Sequence, residues 1–162
     1  MKFKSDLPET GSGSNNFLKL KDKESVVGIF RGEPRDFFAM WDGKKYVEVA
    51  EDDPNGFFRF KINFVVKEGS NYVAKIFENG SQVYKQLAEL HTEYDLQETT
   101  VKITRNGTGT DTSYSILPLL KTPPSKETLA FLKKLELLPL EPINANREFV
   151  AKDSSNSDEM NF

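Results

Sequence analysis

The sequence predicts a mainly β fold: a small five-stranded barrel with one helix between its third and fourth strands, an inserted β-hairpin and a C-terminal helix. Three observations predict it. In residues 57–67, Phe58, Phe60, Ile62, Phe64 and Val66 alternate with Arg59, Lys61, Asn63, Val65 and Lys67, the period of a half-buried strand. Turn signals such as Asp42-Gly43, Asn79-Gly80 and Asn106-Gly107 divide the rest into short β-rich runs. Helical spacing of apolar residues occurs in two places, at Val83, Leu87 and Leu90 and at Leu129, Leu132 and Leu135.

Taken in order, residues 10–16 (Thr-Gly-Ser-Gly-Ser-Asn-Asn) read as a flexible linker, which leaves residues 1–16 outside the domain. Structure is expected from Phe17-Leu18-Lys19-Leu20 onward. Residues 26–31 are β-rich, and Gly28 within them suggests a bent strand. A turn at Gly32-Glu33-Pro34 precedes Phe37-Phe38-Ala39-Met40-Trp41, which Asp42-Gly43 joins as a hairpin to Tyr46-Val47-Glu48-Val49. After a loop at 51–56 comes the alternating strand, with its phenylalanines expected inward and its cations outward. Residues 72–77 are its hairpin partner, and Asn79-Gly80-Ser81 is expected to cap the first helix. Two strands, 100–105 and 112–117, flank the loop 106–111. Pro123-Pro124-Ser125 opens the last helix, Pro139 stops it, and 140–162 read as a disordered acidic tail. Five core strands with a helix between the third and fourth is the order of the OB-fold, a Greek-key barrel that leaves the outer face of its second and third strands for ligands. The expected domain is residues 17–139.

Composition removes several classes of function. The chain has no Cys, which excludes disulfides, thiolate zinc sites, iron–sulfur clusters and a Cys nucleophile, and one His, which supplies little for histidine-based metal sites or catalysis. No apolar run exceeds five residues, so no membrane span is expected, and Met1-Lys2-Phe3-Lys4-Ser5-Asp6 lacks the apolar stretch of a secretory signal. A soluble intracellular protein is the expectation. Net charge is −3, of which residues 151–162 carry −2. Residues 57–67 hold Arg59, Lys61 and Lys67 and no acid, so a local cationic face is compatible with an acidic whole. A polyanion senses charge over roughly 8–10 Å, not over the entire protein.

The outward row Arg59, Lys61, Asn63, with Lys75 across the hairpin, is the main candidate for function. Alternate strand positions stand about 7 Å apart, near the phosphate spacing of a stretched single strand. The plain alternative is a solvated face that keeps the sheet soluble. Phe37, Phe38, Trp41, Tyr46 and Tyr72 are candidate base-stacking rings, against a plain role as a secondary core under the hairpin. Lys102, Arg105 and the loop 106–111 would flank the same face. Glu51, Asp52, Asp53 and Asn55 lack the ligand spacing of a calcium loop and read as a turn. No motif supplies a nucleophile with its base or a converging acid pair, so neither an enzyme nor a cofactor or metal is expected. The tail ends in Asp158, Glu159 and Phe162, a pattern suited to docking a terminal ring and carboxylate on a partner.

The stretches Phe17-Leu18-Lys19-Leu20, Arg31-Gly32-Glu33-Pro34, Phe58-Arg59-Phe60-Lys61-Ile62-Asn63-Phe64, Ala74-Lys75-Ile76-Phe77 and, most specifically, the residues from Val101 through Asn106-Gly107-Thr108-Gly109 to Tyr114 resemble single-stranded DNA-binding proteins of tailed bacteriophages, of the OB-fold type. The resemblance covers roughly residues 15–125. It implies a protein that coats and protects transient single strands without sequence preference in phage DNA replication, recombination and repair, in the cytoplasm of the infected bacterium. In that reading Arg31, Arg59, Lys61, Lys75, Lys102 and Arg105 neutralise phosphates beside Asn63, and Trp41, Tyr72 and Phe37 stack bases. The tail at Asp158, Glu159 and Phe162 would recruit phage or host replication and recombination proteins. Some proteins of this group hold zinc through Cys; without Cys, the hairpin insert at 37–56 would rest on packing alone. An OB-like adaptor that binds protein is the rival expectation. A nuclease is the weaker rival, because it would need clustered carboxylates.

Overall fold

The computed structural model describes residues 16–141 and the backbone of Glu159–Met160. It is mainly β. The strands are β1 (Ser25–Trp41), β2 (Tyr46–Val49), β3 (Phe57–Glu68), β4 (Asn71–Asn79), β5 (Val101–Asn106), β6 (Ser113–Pro118) and the two-residue β7 (Glu159–Met160). Helix α1 (Ser81–Glu93) lies between β4 and β5, and α2 (Lys126–Lys134) follows β6. The expected linker at 10–15 and the residues 142–158 of the expected tail lie outside the described residues.

All strand pairings are antiparallel, in the order β4-β3-β1-β2-β7, with β5 on the other half of β1 and β6 on β5. β1 organises the sheet because it changes partner along its length. Residues 25–28 pair with β5, residues 28–39 with β3, and residues 38–41 with β2. At Gly28 the crossing is tight: a Cβ there would stand 2.4 Å from the Val65 carbonyl oxygen and 2.7 Å from the Phe64 ring. β4 and β6 do not pair with each other among the described residues, so the sheet curls without closing.

The turn expected at Gly32-Glu33-Pro34 is instead a register shift inside one continuous strand, between Arg31 and Arg35. Gly32 takes φ +80°, and the Gln97 side chain satisfies its backbone, accepting from Gly32 N–H at 2.7 Å and donating to its carbonyl at 3.0 Å. That partner is 65 residues away, which is why local signals read as a turn.

The alternating strand places Phe58, Phe60, Ile62, Phe64 and Val66 on the inner face. They pack with Phe30, Phe77, Val83 and Leu87 of α1, Leu96, Val101, Ile103 and Ile116. Here the period-two reading holds. The opposite face does not meet water as expected: Lys61 is 4% exposed and Asn63 3%, and Val65 is buried. α2 and the segment 135–138 cover it, with Leu129, Leu132, Leu135 and Leu137 packed on Ile29 and Val65. Asn63 clasps Leu138, accepting from its N–H at 2.8 Å and donating to its carbonyl at 3.0 Å. Along residues 61–65, β3 is therefore buried on both faces, and one-sided burial was the wrong inference from alternation.

The helix caps differ from one another. Ser125 caps α2 by accepting from Thr128 N–H at 3.0 Å. α1 has Gly80 as its N-cap and so no side-chain cap; the Asn79 side chain accepts from the Gly80 N–H at 2.9 Å. No helix among the described residues is long and apolar enough to cross a membrane.

Candidate nucleic-acid interface

The second face of β1, β2 and β3 becomes open beyond the segment 135–141, toward the β1–β2 hairpin. Cross-strand register decides what gathers there. Arg35 stands opposite Lys61, Phe37 opposite Arg59, Ala39 opposite Phe57 and Trp41 opposite Tyr46. These residues share one face because β positions of equal parity do.

Three rings form a row at the hairpin end. Trp41 and Tyr46 have centroids 4.9 Å apart, Tyr46 and Phe57 5.8 Å, both edge-to-face. Trp41 is 53% exposed and Phe57 40%, so both rings present apolar surface to solvent. The hairpin turn is set by Asp42, whose carboxylate accepts from Lys44 N–H at 2.8 Å and Lys45 N–H at 2.9 Å. Those bonds hold its carboxyl below the usual range and leave Lys44 and Lys45 exposed at the tip.

Behind the rings lies a half-buried charge cluster. Arg35 Nη2 bonds the buried Glu48 Oε2 at 2.6 Å and its Nε is 3.3 Å from Glu141. Burial raises the Glu48 carboxyl even though Arg35 draws it down. Lys61 Nζ lies 5.5 Å from the centroid of Phe37 and 5.6 Å from that of Phe17. Burial pulls the Lys61 ammonium below its ordinary value. Arg59 Nε is 3.6 Å from Glu78 Oε2, and burial pushes the Glu78 carboxyl up to about 8.

The structure thus brings together Phe37, Trp41, Arg59 and Lys61 of the expected site on one face, but buries Phe37 and Lys61. Phe37 is buried with Ala39 and Tyr46 and has no open ring face to offer a base. Asn63 is on the same face and sealed by Leu138. Lys75 is a correction of another kind: it registers with Phe64, on the opposite face from Arg59, and pairs with Glu68 at 3.5 Å. Tyr72 sits under α2, 5.5 Å from Phe131 and 3.4 Å from the Thr128 hydroxyl, far along the sheet from Trp41.

The Arg31 guanidinium donates to the Gln97 carbonyl at 2.7 Å, and Arg105 donates to the Leu20 carbonyl at 2.8 Å as well as to Gly107 and Thr112. Both are engaged in holding loops. Lys102 stands between Val27 and the exposed Leu117 on the outside of β5, away from the aromatic row. Phe57, Arg35 and Glu78 were missed in the sequence. Phe57 could have been found by extending the parity of Arg59 and Lys61 one step back; Arg35 and Glu78 carried no local signal.

The backbone of Glu159–Met160 pairs with the outer edge of β2, Met160 opposite Tyr46 and Glu159 opposite Val47. The expected tail therefore meets the sheet beside the aromatic row. Asp158 and Phe162 lie outside the described residues. Among the described residues no group of three His, Asp or Glu side chains is placed to hold a metal ion. Compared with protein-family models, with curated proteins and with solved structures, the chain matches none.

Proposed function

We propose that this protein binds single-stranded DNA without sequence preference, through the open end of the β1–β2–β3 face, as a non-enzymatic OB-type binding protein. The observation that carries the reading is the row Trp41–Tyr46–Phe57, with Trp41 and Phe57 exposed and Tyr46 half-buried between them, close to the partly exposed Arg59 and the exposed hairpin lysines Lys44 and Lys45. Every base has a π-face, so exposed rings take bases of any identity for roughly 1–3 kcal/mol each, while the cations take phosphates. The strand order with α1 between β4 and β5, and β1 shared among three partners, supports the OB assignment. Coating of transient single strands in phage replication, recombination and repair, with the acidic tail recruiting replication partners, is the biological role this reading carries.

Trp41 is the single tryptophan, so its fluorescence reports on the row directly. Adding oligo-dT is expected to quench it, and Trp41→Ala is expected to weaken binding by the worth of one stacked base, about 1–3 kcal/mol. Unchanged fluorescence and no measurable oligo-dT affinity at low salt would overturn the reading.

A protein-binding adaptor is the second reading, favoured by one observation: the β2 edge accepts an extended segment, Glu159–Met160, by strand addition. In that case a peptide, and not oligo-dT, would perturb Trp41.

A further inference from the structure

Beneath the candidate DNA-contacting cations sits a carboxylate with no role in stacking or phosphate contact. Glu78 lies on β4 directly opposite Lys61, and its Oε2 is 3.6 Å from Arg59 Nε. Its side chain is 3% exposed, and neither carboxylate oxygen accepts a hydrogen bond of good geometry. A carboxylate so placed stays ionised only while neighbouring cations hold it; without them desolvation favours the neutral acid.

Among the described residues, the charged groups facing it are Arg59 and Lys61 from β3. One position further out, Arg35 of β1 is bonded to Glu48 of β2 and contacts Glu141 of the covering segment. From β2 and β6, Tyr46 and Tyr114 act on Arg59. The turn at Gly80 packs near the Arg59 guanidinium and brings no charge.

Resting on the single-strand reading above, we propose that Glu78 is a proton-linked counter-ion: when a nucleic-acid phosphate engages the partly exposed Arg59, an ionised Glu78 takes up one proton from solvent. Before binding, the Glu78 carboxylate faces the Arg59 guanidinium; afterwards a phosphate charge takes its place beside Arg59 and the carboxyl is neutral, so the charge offered to the guanidinium is unchanged. Burial already holds the Glu78 carboxyl near 8 in the free protein, which puts the exchange within reach of ordinary conditions. The sign follows directly. The bound state favours protonated Glu78, so affinity is full where Glu78 is already protonated and falls as pH rises through about 8. One linked proton makes that fall up to about tenfold per pH unit.

The test titrates the full chain with oligo-dT on either side of pH 8 at fixed salt, for the wild type and Glu78→Gln. The expected result is a wild-type affinity that declines with pH, and a Glu78→Gln affinity that is level and, at high pH, tighter than the wild type. An equal pH slope in the variant, or a level wild type, overturns the proposal while leaving single-strand binding intact. Absence of oligo-dT binding by both proteins at every pH overturns the functional reading itself, and this proposal with it. Gln has the shape of the protonated acid; should the variant fail to fold, carboxyl-carbon NMR of Glu78 in the wild type decides. A titration midpoint that rises on adding oligo-dT supports the linkage, and one that does not move overturns it.

Discussion

Asn63 shows how one side chain can change the meaning of a whole strand. By parity it belongs to the outward row with Arg59 and Lys61, and its amide has both a donor and an acceptor to satisfy. The structure satisfies both on one residue, the Leu138 backbone, and so fixes the covering segment to the sheet. Asn63→Ala leaves a buried N–H and a buried carbonyl of Leu138 without partners, each costing about 1–3 kcal/mol when desolvated and unpaired. Chemical denaturation should show a loss of this order, with the midpoint lowered. A variant as stable as the wild type would mean that the segment is held by the leucines alone. Lys61 teaches the same lesson from the charged side: burial lowers its ammonium, and Glu78 and Phe37 supply what water does not.

Among the elements, β2 is short and has an edge that would otherwise present unpaired N–H and C=O groups. Glu159–Met160 occupies that edge beside Tyr46. The last twelve residues also carry −2 of the net −3, so the occupant is anionic where a nucleic acid is proposed to pass. Deleting residues 151–162 should therefore raise oligo-dT affinity, most clearly at low salt where charge is least screened. Equal affinity with and without these residues, measured by Trp41 quenching, would separate the tail from the site. α2 does the reverse of what its amphipathic pattern alone suggests. Its leucines were legible as a stripe, but not that the stripe would land on Ile29 and Val65 and close half of the face proposed for ligand.

Across the whole molecule, a net charge of −3 disfavours a polyanion at long range, so binding must depend on the local arrangement of Arg59 and the hairpin lysines. Arg59→Ala should weaken binding to all sequences alike and flatten the salt dependence by about 0.7 in log–log slope for each phosphate that is no longer neutralised. An unaltered slope would move the phosphate path to the hairpin tip. The β class, the hairpin at Asp42-Gly43, the two helices and the phenylalanine face of β3 were legible from the sequence alone. Period, turn chemistry and β-branched or aromatic content act between neighbours, and each of these elements is specified by neighbours. Which face of β3 meets water, which cations share a surface, and how Gly32 is satisfied were decided by the tertiary structure. Those outcomes depend on Leu138, Glu78 and Gln97, partners 75, 17 and 65 residues away from Asn63, Lys61 and Gly32, which the chain brings near only when it folds.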